Sequence, residues 1–267
     1  MLLRTAQGQV RSLVKALAIL DCFGADCPEL GVSEIARHLD MPTSTVGRLL
    51  TTLHSAGVLS QDPATQRYRM GSKVLFWGAV YMNGLDVREK ARPVLEELHR
   101  LTQETVNLYV LDGLERVCVD RIESSQRLRV IVHIGERMPL YAGSAGKAIL
   151  AFAPTALVNR VLEAPLERMT DNTITDPDKL AEELRSIRNH GYATSYSERF
   201  TDVLGLAAPV FDATGNVIAS LNVAGPLARF ADAEVAKYAP KVMQLANQAS
   251  QSLGYIGPNS LSKRSER

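Results

Sequence analysis

The order of elements in residues 10–70 constrains this chain more than any single residue does. Residues 10–23, VRSLVKALAILDCF, place Val10, Leu13, Val14, Leu17, Ile19 and Leu20 largely on one helical stripe, and Gly24 follows as a stop. A loop with Pro28 and Gly31 leads to a short helix, SEIARHLD, which Ser33 is placed to cap and which buries Ile35, Ala36 and Leu39. Met41-Pro42 breaks that helix. Another runs over 43–56, with Val46, Leu49, Leu50 and Leu53 on its apolar stripe and Gly57 at its end. Val58-Leu59-Ser60 and Arg67-Tyr68-Arg69-Met70 then read as two short strands around the turn Asp62-Pro63-Ala64-Thr65. Three helices and a hairpin in this order are the layout of a winged helix-turn-helix, expected over 1–70.

Beyond it, a helix from 72 to 86 carrying Val74, Leu75, Trp77 and Tyr81 reads as a linker over 71–86. Residues 87–254 then form a second domain of mixed pattern. A helix over 87–103 precedes three apolar runs read as strands, TVNLYVLDG, RVCVDRIES and LRVIVHIG. The small-residue turn YAGSAG opens the apolar helix KAILAFA, and a helix with one charged side spans 177–190. LGLAAPVFD and NVIASLNVAG pair around Ala213-Thr214-Gly215, a hairpin signal, and a last helix covers 231–253. The tail 255–267 has no pattern and is expected to be disordered. The fold class is α+β.

In a helix-turn-helix the second helix of the motif lies in the major groove with its N-terminal residues at base edges. Here that end carries Thr43, Ser44 and Thr45, with Arg48 one turn later and Thr51 and Thr52 continuing the polar face. Short hydroxyls allow close approach, and a guanidinium can fork onto a guanine edge or a phosphate. The hairpin offers Gln66, Arg67 and Arg69 to the backbone or minor groove. Bulk charge gives no help: residues 1–70 hold seven Lys/Arg and six Asp/Glu, a balance of +1. The near-neutral first domain leaves a winged-helix protein-interaction module as the alternative to double-stranded operator DNA as the partner.

Other classes find little support. Cys22, Cys27 and Cys118 are too few and too scattered for a disulfide framework or a paired zinc-ligand pattern. Cys118 falls in the alternation RVCVD, a core strand position rather than a nucleophile's. His190, Glu198 and Asp202 are the conceivable metal group of the second domain, but no metal or cofactor is expected. There is no phosphate loop and no dinucleotide fingerprint, and an enzyme is not expected. Neither a secretory signal nor an apolar run of transmembrane length is seen, so a cytoplasmic protein with no membrane partner is expected.

Across about residues 10–254 the chain resembles the IclR-type bacterial transcription regulators. The matching stretches are SLVKALAILDCF, VSEIARHLDMPTSTVGRLLTTLHSAGVL, YRMGSKVLFWG, RPVLEELHRLTQETVNLYVLDG, ERMPLYAGSAGKAILA and LGLAAPVFDATGNVIASLNVAGP. The resemblance implies a winged-helix domain, a linker helix and a GAF-like sensor domain. It implies dimers or tetramers on near-palindromic operators, acting as repressor or activator under control of a small organic acid or aromatic catabolite. Carried over residue by residue, it nominates Gly143, Ser144 and Ala145 at the turn, and Pro209, Asn222 and Ala224 on the last two strands, as the effector site. Family members that bind small acids often have a hydroxyl or thiol at the last three positions. Pro209, Asn222 and Ala224 therefore predict a roomier or less polar pocket. Free N–H groups at a helix N-terminus independently favour a carboxylate beside the turn. Arg129, His133 and Tyr141, on neighbouring segments, would add a cation, a proton donor and an aromatic wall.

Overall fold

A computed structural model describes residues 10–24, 27–83 and 86–257. The chain divides into two compact units, Met1–Gly84 and Leu85–Arg267.

The first unit contains α1 (Arg11–Leu20), α2 (Val32–His38), α3 (Thr43–Ser55), β1 (Leu59–Gln61), β2 (Tyr68–Met70) and α4 (Ser72–Asn83). Strands β1 and β2 pair antiparallel, Ser60 opposite Arg69. The core joins Ile19 of α1, Ile35 and Ala36 of α2, Val46 and Leu50 of α3, and Leu59 and Tyr68 of the hairpin. The Asp62 carboxylate accepts the N–H groups of Ala64 and Thr65 at the hairpin tip, and these bonds hold its pKa below the ordinary 3.8. Gly71 closes the unit: a Cβ there would stand 2.3 Å from the Gly57 carbonyl oxygen.

Two details differ from expectation. Helix α2 starts at Val32, with Gly31 as its N-cap, and the Glu34 carboxylate takes the Gly31 N–H at 2.7 Å; Ser33 lies inside the helix. That bond, with Arg67 beside it, lowers the Glu34 pKa. The stripe of α1 is only partly covered. Ile19 is buried, but Val10, Leu13 and Leu17 are more than half exposed. Periodicity reports that a helix has an apolar face and is silent on whether the same chain covers it.

The second unit contains α5 (Asp86–Thr102), β3 (Thr105–Asp112), β4 (Glu115–Ile122), β5 (Arg137–Pro139), α6 (Ser144–Phe152), α7 (Thr155–Leu162), α8 (Pro177–His190), β6 (Ala193–Tyr196), β7 (Val203–Phe211), β8 (Val217–Pro226) and α9 (Asp232–Ser252). Its antiparallel sheet has the order β5-β4-β3-β8-β7-β6. Alternation along β7 sends Gly205 and Ala207 to one face, and Ala207 joins a core with α6, α7 and α8. Leu204, Leu206 and Ala208 alternate to the other face, against which α5 and α9 pack. The β7–β8 hairpin turns over Asp212–Asn216, where the Asp212 carboxylate accepts N–H groups from Thr214 and Asn216.

The run LRVIVHIG is not a strand. Val130 and Val132 do point inward, as their alternation requires, but this segment is tied down by side chains: the Thr105 hydroxyl donates to the Val130 carbonyl and Arg121 to that of Val132. Residues 258–267 of the tail lie outside the described residues. Order extends past 254, since Tyr255 stacks on Phe211 with ring centroids 5.0 Å apart.

Candidate nucleic-acid interface and ligand cavity

Helix α3 presents Thr43, Ser44, Arg48, Thr51 and Thr52 to solvent, with Thr45 half-buried. The Thr51 and Thr52 hydroxyls donate to the Gly47 and Arg48 carbonyls, so each has its oxygen, not its proton, to offer. A groove between α1 and α3 is lined by Arg11, Ser12 and Lys15 from one helix and Thr45, Arg48 and Thr51 from the other. Arg11 and Lys15 were not singled out from the sequence, although they stand four apart on one side of α1.

Ion pairing separates the basic residues of this unit. Arg67 is held by Glu34 at 2.8 Å and by the Glu29 carbonyl, and Arg69 lies 3.7 Å from Glu29 and bonds Ser60. Gln66, at a positive φ of 58°, is engaged within the hairpin tip with Gln61 and Pro63. Among the described residues, Arg11, Lys15 and Arg48 have no acidic partner. Three cations without an acidic partner therefore gather at the α1/α3 groove, with Arg37 and Lys73 unpaired elsewhere in the unit, and the arginines of the hairpin are largely occupied.

The second unit holds a cavity of about 40 Å³ against the start of α6. Five of the nominated residues line it: Gly143, Ser144, Ala145, Asn222 and Ala224. The other four do not. Pro209 shares the face of Gly205 but lies four residues further along β7, about 13 Å at strand rise. Tyr141 is buried with its hydroxyl on the Glu167 carbonyl. Arg129 is exposed and paired with Glu123, and His133 is exposed with its N–H on Glu136. Gly205, opposite Ala224 in the β7–β8 ladder, is the strand residue that the cavity needs. A Cβ there would meet the Ser144 Oγ at 2.5 Å and the Ser195 Oγ at 3.0 Å.

The cavity is small, with polar side chains along much of its wall. Asn107 donates to the Asn222 side-chain oxygen, and Asn222 donates to the Ser144 Oγ at 3.0 Å, leaving the Ser144 proton to give. Gly143, at φ +80°, caps α6, and its N–H is taken by Glu198. Buried Lys147 reaches Glu198 at 2.5 Å and Glu183 at 2.8 Å. Arg199 pairs with Glu136 and lies over the Phe200 ring. Arg116 enters from β4, 2% exposed, with its guanidinium 5.2 Å from the Tyr109 ring centroid. Its sequence signal was available: in RVCVD it has the parity of buried Cys118, an arginine on a core face.

Burial pushes the Cys118 thiol up to about 12, away from the reactive thiolate. Glu198 is occupied by Lys147 and Gly143, and His190 by Ser186. Among the described residues no three His, Cys, Asp or Glu side chains converge as metal ligands, and no helix is long and apolar enough to cross a membrane.

A winged helix-turn-helix followed by an α/β unit is the architecture of a DNA-binding transcription regulator. The comparisons make the class specific. Residues 12–63 match the IclR helix-turn-helix domain, and residues 79–251 match the bacterial transcriptional regulator IclR C-terminal domain. The chain belongs to the IclR family of transcription regulators. It is 38% identical over 244 residues to the HTH-type transcriptional regulator BhcR of Paracoccus denitrificans, covering 91% of this chain and 87% of that one. It is 36% identical to KipR of Bacillus subtilis, covering 93% and 99%. Among solved structures, Thermotoga maritima IclR matches with TM-score 0.75 and 30% identity over 92% of this chain and 100% of that one. An IclR homologue of Microbacterium hydrocarbonoxydans, solved with 4-hydroxybenzoate, matches with TM-score 0.78 and 25% identity over 91% and 98%. These are regulators, a non-enzymatic class, and they decide for DNA over a protein partner as the target of the winged helix.

Proposed function

We propose that the chain binds double-stranded operator DNA through α3 and the α1/α3 groove, and that a small carboxylate bound beside the start of α6 modulates this binding. One observation carries the reading: three basic residues without an acidic partner, Arg11, Lys15 and Arg48, converge on one groove beside the hydroxyl-bearing end of α3. Thr43, Ser44, Thr45 and Arg48 then face base edges or nearby phosphates, while Arg11 and Lys15 hold phosphates. Gln66, Arg67 and Arg69 are left a lesser role at the flank.

Self-association to a dimer or tetramer fits the uncovered apolar surface. Val10, Leu13 and Leu17 of α1, and Leu75, Phe76, Trp77 and Val80 of α4, are 48–77% exposed. Two copies would place two α3 helices in successive major grooves, about one helical turn apart or a multiple of it. The effector then acts through its differential affinity for two arrangements of the DNA-binding units, conveyed along the 71–86 linker. A cytoplasmic location accords with such a role. The small cavity favours a short organic acid.

The test is fluorescence anisotropy on duplex DNA from upstream of the protein's own gene, beside a scrambled duplex, across a salt series. Selective binding that weakens steeply with salt is expected. Equal, weak binding to both duplexes at every salt concentration, repeated over the flanking intergenic regions, would overturn the operator reading. Light scattering on the same samples reads the oligomer.

A further inference from the structure

One cation of the α6 cavity makes no ion pair, and this deepens the effector reading on which it rests. Lys147 is matched by Glu198 and Glu183, and Arg199 by Glu136. Arg116 is not matched. Among the described residues no carboxylate lies within ion-pair distance of it; its Nη1 bonds the Pro139 carbonyl, and its buried Nε has no partner. A buried, unpaired cation is expensive, so proteins seldom keep one without a use.

The backbone makes room for this guanidinium. A Cβ on Gly143 would lie 3.2 Å from the Arg116 Nη2, and one on Gly146 would lie 2.4 Å from Nη1. Burial draws the Arg116 pKa down to about 10, which leaves the group charged near neutral pH. The first N–H groups of α6, those of Ser144, Ala145 and Gly146, find no acceptor among the described residues and add positive potential on the same side.

We propose that Arg116 is the charge-selecting residue of the cavity and forms an ion pair with the carboxylate of a short monocarboxylic acid. One guanidinium without an ion-pair partner offers a fork for one carboxylate. A volume of about 40 Å³ holds a few water-sized groups and no more. The Ser144 and Ser195 hydroxyls, brought together over Gly205, and the Asn222 amide receive a carbonyl or hydroxyl on the acid's other carbons.

The experiment is thermal unfolding of the full-length protein with acetate, propionate, glyoxylate and pyruvate, each against chloride at equal ionic strength and against the corresponding neutral amide. At least one acid should raise the Tm of the parent protein, its amide should not, and Arg116→Met should abolish the shift. Arg116→Lys, which keeps the charge and loses the fork, should retain a weaker shift, with at least tenfold lower affinity. Without any acid, Arg116→Met should melt at or above the parent, because it removes an unpaired buried charge and keeps most of the volume. If no acid shifts the parent, or if Arg116→Met responds as the parent does, the proposal is wrong. Ser144→Leu, which fills the cavity, separates the two levels. If it abolishes a shift that Arg116→Met retains, Arg116 falls and the cavity stands. If the shift survives Ser144→Leu, the cavity itself is not the site.

Discussion

Each unit of this protein keeps cations without acidic partners, and the two keep them in opposite settings. In the first unit Arg11, Lys15 and Arg48 line an open groove in water. In the second, Arg116 is 2% exposed behind a polar wall. An unpaired surface cation costs the fold almost nothing and attracts any polyanion, with salt screening the attraction. An unpaired buried cation is costly, acts over a few ångströms and is barely screened, so it discriminates one charge on one small molecule. The first arrangement suits a target read along many phosphates. The second suits a ligand that must be told from its neutral analogue.

The sharpest way to break this comparison is to unbalance the second unit deliberately. Lys147→Met leaves Glu198 buried without its main partner, which should cost about 3–5 kcal/mol. Circular dichroism should show the larger unit unfolding early, while fluorescence of Trp77, the single tryptophan, which lies in the first unit, should keep its transition. The mirror experiment is Leu50→Ala in the core of the first unit, where the side chain is fully buried. A loss of about 2–5 kcal/mol is expected there, with DNA binding abolished and the acid-dependent shift of the second unit retained.

Smaller effects sharpen the division within the groove. Arg48→Ala should weaken operator binding by about 1–3 kcal/mol and binding to scrambled duplex by less. Lys15→Ala should weaken both alike and lower the slope of log K against log salt by about one. Arg67→Ala, already committed to Glu34, should change that slope less than Lys15→Ala does; an equal change would dissolve the distinction between paired and unpaired cations.

The smallest expected effect is on acid stability. Native bonds hold the Glu34 and Asp62 pKa values below their ordinary 4.5 and 3.8. Their contribution is therefore present above the unfolded values and is lost as pH falls through the lower folded ones. Both groups are solvent-exposed, so the loss is modest. Asp62→Asn should flatten the acid limb of a Tm-against-pH curve followed by Trp77 fluorescence and leave Tm near neutrality little changed.

Much of the fold was legible because it is written in local periods. The α3 stripe of Val46 and Leu50, the turn chemistry of Asp62 and the hairpin at Asp212–Asn216 each depend on residues a few positions apart. The segment 128–135 misled because alternation records which side chains face inward, and Val130 and Val132 do, without recording whether the backbone finds a ladder. The candidate cavity was half legible. Gly143, Ser144 and Ala145 form one contiguous turn. Asn222 and Ala224 share a strand face. Pro209 was misplaced because strand parity fixes the face and leaves the distance along the strand open.

By itself, then, the sequence determined the elements of the first unit, the main helices and strands of the second without β5, α7 and β6, the polar end of α3 and the family. Tertiary structure alone decided which charges are spoken for. Arg67 meets Glu34 across 33 positions, Lys147 meets Glu198 across 51, and Arg116 meets no acid among the described residues. A residue's charge is a property of its side chain, but its freedom to act on a ligand depends on whether folding has brought an opposite charge within a few ångströms. That is a matter of long-range packing, which no local period in a sequence encodes.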